Sequence, residues 1–173
     1  MFGTGKAKLT KVSVDLKTPF LSVKGGWEAD ESEQQAAWEL YVELVTRIAT
    51  VELKPGEGLL REALSSLHQI FSETREILRK YGPGVAKPKG QGKLSLGVIA
   101  VTVLNSGLRP VLAKWHPLLE NYEKTRQPNV SIGEHEARWP HNEELREVLR
   151  EVQSTIRAYA NLLAEVAGVP RLV

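Results

Sequence analysis

The residue types best suited to chemistry lie in residues 94–117, a segment that begins as the most apolar run of the chain and ends in a polar cluster. Arg109 supplies a permanent cation that can hold a phosphate, and His116 supplies a group that titrates near neutral pH. Asn105 precedes Arg109 by four residues, so the two side chains share one face of a helix. This pattern makes Arg109 and His116 candidate catalytic residues and predicts a polar pocket at Asn105 and Arg109.

Six residues separate Arg109 from His116 in the sequence RPVLAKWH. This spacing resembles the motif of HEPN ribonucleases, small all-helical proteins in which four to six residues separate an arginine from a histidine. The resemblance implies that the pair positions a phosphate and assists attack by the RNA 2′-hydroxyl. Pro110 departs from the polar residue usual after the arginine. The alternative is structural: Arg109 pairs with a carboxylate or caps carbonyl groups near Pro110, and His116 ends a helix.

No metal or cofactor site is predicted. The segment HEARWPH contains His135, Glu136 and His141, but its spacing differs from HExxH, which places two ligands on one helical face. The chain has no cysteine, which excludes disulfides, thiolate catalysis and cysteine-bound zinc. We interpret Trp139 in this segment as a cover packed on the helices.

Charge is arranged in bands along the chain. Residues 28–52 are rich in acids with Arg47 as the one base, whereas no acid lies between Glu76 and Glu120. The second band predicts a basic surface that could contact phosphates, and its members are Arg79, Lys80, Lys87, Lys89 and Lys93. The segment lacks interleaved aromatic residues, so base-specific recognition of single strands is not indicated. The alternative is a solvated, flexible loop.

Hydrophobic periodicity predicts the elements that position these residues. Val12, Val14 and Leu16 alternate with polar residues as in a half-buried strand, and a second extended piece ends at Gly25-Gly26. Residues 1–26 are therefore expected to form an extended arm or hairpin packed on the rest of the chain or on another subunit. Helical spacing predicts four long helices, at about 31–50, 57–81, 95–126 with a bend near Pro110, and 142–167.

These elements predict an all-α fold, a four-helix bundle with a short extended arm, in which residues 27–173 form one domain. Asp30 and Glu33 have the spacing of a capping box at the start of the first helix. Trp38 is expected to widen the apolar face of that helix. Asn105 is expected to be buried and to hydrogen-bond to a neighbouring helix.

The composition, 42% apolar and 25% charged over 173 residues, is that of an ordinary soluble domain. The chain has no run of about 18 apolar residues, so no membrane-spanning helix is predicted. We predict a cytoplasmic, non-enzymatic interaction module, an accessory or adaptor subunit that binds a protein partner or itself. The alternative is an HEPN-like bundle that binds or cleaves RNA with Arg109 and His116. A third hypothesis is binding to a membrane surface through the basic loop, residues 79–93.

Overall fold

The computed structural model describes residues 9–18, 20–47 and 51–172 of the chain. It combines a small sheet with a set of helices packed on one hydrophobic core. The elements in chain order are β1 (Thr10–Thr18), β2 (Leu21–Ala29), α1 (Glu31–Val45), α2 (Leu60–Tyr81), a 3₁₀ turn (Pro83–Ala86), β3 (Lys93–Leu94), α3 (Leu96–Thr102), a π-helical segment (Val103–Leu108), α4 (Arg109–Glu123), α5 (Ile132–Ala137) and α6 (Asn142–Ala167).

The predicted all-α fold is wrong, because the chain contains a three-stranded mixed sheet. β1 and β2 form an antiparallel hairpin in which Thr10 faces Ala29 and Thr18 faces Leu21. β3 then adds a short parallel strand beside Gly26 and Trp27. A Cβ atom at Gly25 would lie 3.0 Å from the Gly92 carbonyl oxygen. Glycine at this position therefore lets the loop before α3 approach closely enough to pair.

Sequence periodicity missed this third strand because it is only two residues long and lies where the Gly/Pro/Lys-rich residues 83–93 meet the apolar run that begins at Leu94. The hairpin itself was one of the expected forms of the N-terminal arm. Its alternating residues Val12, Val14 and Leu16 are buried, and β1 packs against α6. They belong to the same core as the helices. Residues 1–8 and 48–50 of the predicted arm and first helix lie outside the described residues.

Glu33 joins the sheet to the helices. It is completely buried, and its carboxylate accepts hydrogen bonds from Trp27 Nε1 and from the backbone N–H of Leu96, each at 3.1 Å. It also closes the capping box with Asp30, so the capping box predicted from the sequence is confirmed. Lys89 donates to the same carboxylate and, at 2.6 Å, to the carbonyl oxygen of Glu28. One buried side chain thus connects β2, α1, the loop that carries Lys89 and the start of α3.

The predicted bend near Pro110 takes the form of a π-helical segment between α3 and α4. The Arg109 N–H donates to the Leu104 carbonyl, five residues earlier, as in a π-helix. Pro110 has no N–H and lies in the first turn of α4, where none is needed. The segment therefore allows α3 and α4 to follow each other without a loop. Trp115 is buried on α4, and Trp139 packs edge-on against it at 6.0 Å.

Candidate anion-binding groove

A groove between α2 and α4 brings the candidate residues Arg109 and His116 to one site. It has a volume of ≈ 320 Å³.

 

The walls of this groove are one face of α2 and one face of α4. Helical spacing accounts for its two walls, because positions three, four and seven residues apart share a face. The walls carry two arginines, two histidines and no acid, and the lining residues are His68, Phe71, Arg75, Arg109, Leu112, Ala113 and His116.

Arg109 is held over the groove by two contacts. Its Nε and Nη2 atoms donate to Asn105 Oδ1 at 3.1 and 3.0 Å, and its guanidinium lies 5.4 Å from the centre of the Phe71 ring. Asn105 is exposed and bonds to Arg109, rather than being buried against a neighbouring helix as expected. An arginine has five N–H donors, so Arg109 keeps donors available for an anion.

His116 lies deeper, at the end of the groove nearest the N-terminus of α2. Arg61 Nη1 is 2.7 Å from His116 Nδ1. Because a guanidinium can only donate, Nδ1 is the acceptor and the ring proton of a neutral His116 lies on Nε2. Burial lowers the pKa of His116 below its ordinary value, and the charges of Arg61 and His68 lower it further. The His116 ring is therefore neutral at pH 7.

Arg61 is itself fixed by Glu123. Its Nε and Nη2 atoms each donate to a Glu123 carboxylate oxygen at 2.9 Å, a two-bond arrangement that sets the guanidinium plane. Glu123 belongs to a neighbouring cavity and does not line the groove. The carboxylate thus orients Arg61 and His116 without adding negative charge to the groove wall.

Two further basic side chains complete the groove. Arg75 is exposed, and no ion pair or hydrogen bond engages it within the described residues. His68 is also exposed and meets the His116 ring edge-on at 5.9 Å. Sequence reasoning missed both as site residues. Their spacing with Phe71 on α2 was a signal, but only the packing of α2 against α4 identifies their partners.

The predicted basic surface is largely paired with the acidic band. Lys80 pairs with Glu39, Lys89 with the buried Glu33, and Lys93 with Glu28 at 3.0 Å. The remaining two members, Arg79 and Lys87, are exposed and have no ion pair within the part of the chain that the structure describes. Much of the charge banding therefore serves contacts inside the molecule.

Glu136 lies in the segment HEARWPH, for which no metal site was predicted, and it has a structural role. Its Oε1 accepts from the Leu60 N–H at 2.8 Å and so caps α2, whose own N-cap, Leu59, has no polar side chain. Burial raises the pKa of Glu136. Among residues 9–18, 20–47 and 51–172, no group of three His, Cys, Asp or Glu side chains is placed to hold a metal ion.

No protein-family model, curated protein or solved structure matches the chain. One helical stretch, Leu96–Glu123, is long and apolar enough to cross a membrane by length and composition, and its most apolar 18-residue window has a mean hydropathy of 1.6. Of its most apolar window, 56% is buried inside the protein. The buried part of that window packs against the other elements of the protein.

Proposed function

We propose that this protein is a non-enzymatic interaction module that binds the phosphate backbone of a nucleic acid in the groove between α2 and α4. The observation that carries the proposal is the groove wall, which has two arginines, two histidines and no acid. Phosphate contacts from arginine and lysine supply most of the affinity for nucleic acids. Such a module suits an accessory or adaptor subunit.

Arg75 and Arg109 are the main phosphate ligands in this proposal. Both are exposed at the groove, and Asn105 holds the Arg109 guanidinium in a fixed plane. A preorganised guanidinium loses less conformational entropy on binding a phosphate. Phe71 is buried and covered by Arg109, so it offers no free ring for base stacking. We therefore expect binding that depends little on base sequence.

The RNA-cleaving alternative requires His116 to reach a 2′-hydroxyl. His116 Nδ1 faces Arg61, and Nε2 is buried. Neither nitrogen can take or give a proton at a bound strand without a rearrangement, and this supports binding over cleavage. Incubating the protein and His116→Ala with mixed RNA tests this: cleavage by the wild type that His116→Ala abolishes would overturn it.

Fluorescence anisotropy with labelled single-stranded RNA and DNA of roughly 12 nucleotides tests binding. Replacing both Arg75 and Arg109 by Ala should weaken binding by about tenfold or more and reduce the salt-dependence slope by about 1.4. Arg138→Ala, an exposed arginine outside the groove, is the matched control and should bind like the wild type. Equal losses in both variants, or no binding by the wild type, would contradict the proposal.

A further inference from the structure

A second groove lies on the other side of α2, against α1, and its charge is opposite. It has a volume of ≈ 460 Å³ and includes Trp38, Val42 and Ile77 among its lining residues. Four acids and one base complete it: Glu39, Glu43, Glu73, Glu76 and Lys80. We propose that this groove docks a lysine- or arginine-rich segment of a protein partner, with Trp38 as its apolar anchor. The proposal goes beyond nucleic-acid binding and uses none of those residues.

Trp38 is the first observation that supports it. The side chain was expected on the buried face of α1, but it is 45% exposed. It also lines an adjoining cavity of ≈ 500 Å³ with Glu31 and Tyr81, so that space is open on both sides of the indole. Exposed tryptophans commonly anchor protein interfaces. The face of an indole ring also attracts lysine and arginine side chains.

The second observation is how the acids are arranged. Arg47 pairs with Glu43 at 2.7 Å and Glu73 at 3.4 Å, but its side chain is only 13% exposed whereas theirs are 37% and 36% exposed. The cation therefore lies beneath the carboxylates, and the carboxylates face the solvent. Glu76 has no ion pair within the described ranges. The groove presents negative charge to any partner.

Charge selects the class of occupant. Nucleic acids and anionic membranes would be repelled by the carboxylates. A purely apolar partner segment would leave the surrounding carboxylates desolvated without compensation. A basic segment supplies both parts, since the hydrocarbon portions of lysine and arginine pack on Trp38 and Val42 while their charged ends reach the acids. Charge complementarity of this kind also accelerates association.

A labelled twelve-residue peptide of alternating lysine, arginine and serine is the probe, with anisotropy as the measurement. Trp38→Ala should raise the Kd about tenfold. Replacing Glu73 and Glu76 together by Gln should raise it about fivefold. The matched controls are Val98→Ala, a similarly exposed apolar residue at 47%, and the Glu143→Gln, Glu165→Gln double variant; both should bind like the wild type.

Failure of the wild type to bind the peptide, or equal losses in the control variants, would overturn the proposal. Light scattering without peptide tests whether a second copy of the chain occupies the groove instead. A wild-type dimer that becomes a monomer in Trp38→Ala would assign the groove to that second copy and overturn the proposal of a separate partner. The Arg75→Ala, Arg109→Ala double variant should bind the peptide normally. Failure of nucleic-acid binding therefore leaves this test intact.

Discussion

The two grooves beside α2 differ in how their charges are balanced. On the α4 side, His68 and Arg75 face Arg109 and His116, and Glu123, which orients Arg61, does not line the groove. On the α1 side, acids face the solvent above a half-buried Arg47. One helix thus separates a basic surface from an acidic one. On the α1 side the balancing Arg47 is less exposed than the Glu43 and Glu73 carboxylates, which preserves the negative sign of that groove.

The ion pairs between the two charge bands lie away from these grooves or at their edge. Glu33 pairs with Lys89 and Glu28 with Lys93 near the sheet, where they hold the loop before α3. Lys80 pairs with Glu39 at one end of the acidic groove. Hydrogen bonds from Lys80 and Tyr81 lower the pKa of Glu39 and keep it charged. Charge bands in a sequence can therefore stabilise a fold and still leave two surfaces of opposite sign.

The largest effect is expected at Glu33, which joins the two bands. Glu33→Ala would leave Lys89, Trp27 Nε1 and the Leu96 N–H without their buried acceptor. The free energy of unfolding should fall by about 3–5 kcal/mol. Urea denaturation measures this change. The control is Glu31→Ala, at an exposed position in the same turn of α1, which should change the free energy of unfolding by less than about 0.5 kcal/mol.

A loss below about 1 kcal/mol for Glu33→Ala would contradict its role at the junction of the sheet and the helices.

A smaller effect is expected at the N-terminus of α2, the helix shared by both grooves. Glu136→Ala removes the cap on the Leu60 N–H and should cost about 1–2 kcal/mol of unfolding free energy. Glu136→Gln keeps an acceptor oxygen and carries no charge to bury, so at pH 7 it should be at least as stable as the wild type. Thermal or urea denaturation distinguishes them. Equal destabilisation by both substitutions would contradict the capping role.

The smallest effect is expected from the titration of His116. Because its pKa is lowered in the folded protein, the unfolded chain binds a proton first as the pH falls below about 6.5. His116 therefore favours folding above that pH and less so below it. His116→Gln, which keeps an acceptor for Arg61, should lose less stability between pH 7 and about 5.5 than the wild type. Identical pH profiles of urea midpoints would contradict the inferred environment of His116.

Local patterns predicted the elements better than their assembly. The alternation at Val12, Val14 and Leu16, the capping box at Asp30 and Glu33, and the shared face of Asn105 and Arg109 all depend on residues close in sequence. β3 was missed because its pairing depends on a distant strand.

The candidate site follows the same division. The pairing of Lys89 with Glu33 joins residues 56 positions apart, and no local pattern indicates it. His68 and Arg75 become site residues only because α2 packs against α4. The exposure of Trp38 likewise depends on what α1 leaves uncovered.

The most direct test of opposite charge on the two sides of α2 compares nucleic-acid binding by two double variants. Labelled single-stranded RNA is titrated with two proteins at the same salt concentration. One carries Arg75→Ala together with Arg109→Ala, and the other carries Glu73→Gln together with Glu76→Gln. We predict that the arginine variant binds about tenfold or more weakly, and that the glutamate variant binds as well as the wild type or more tightly. Equal affinity of the two variants would contradict the account.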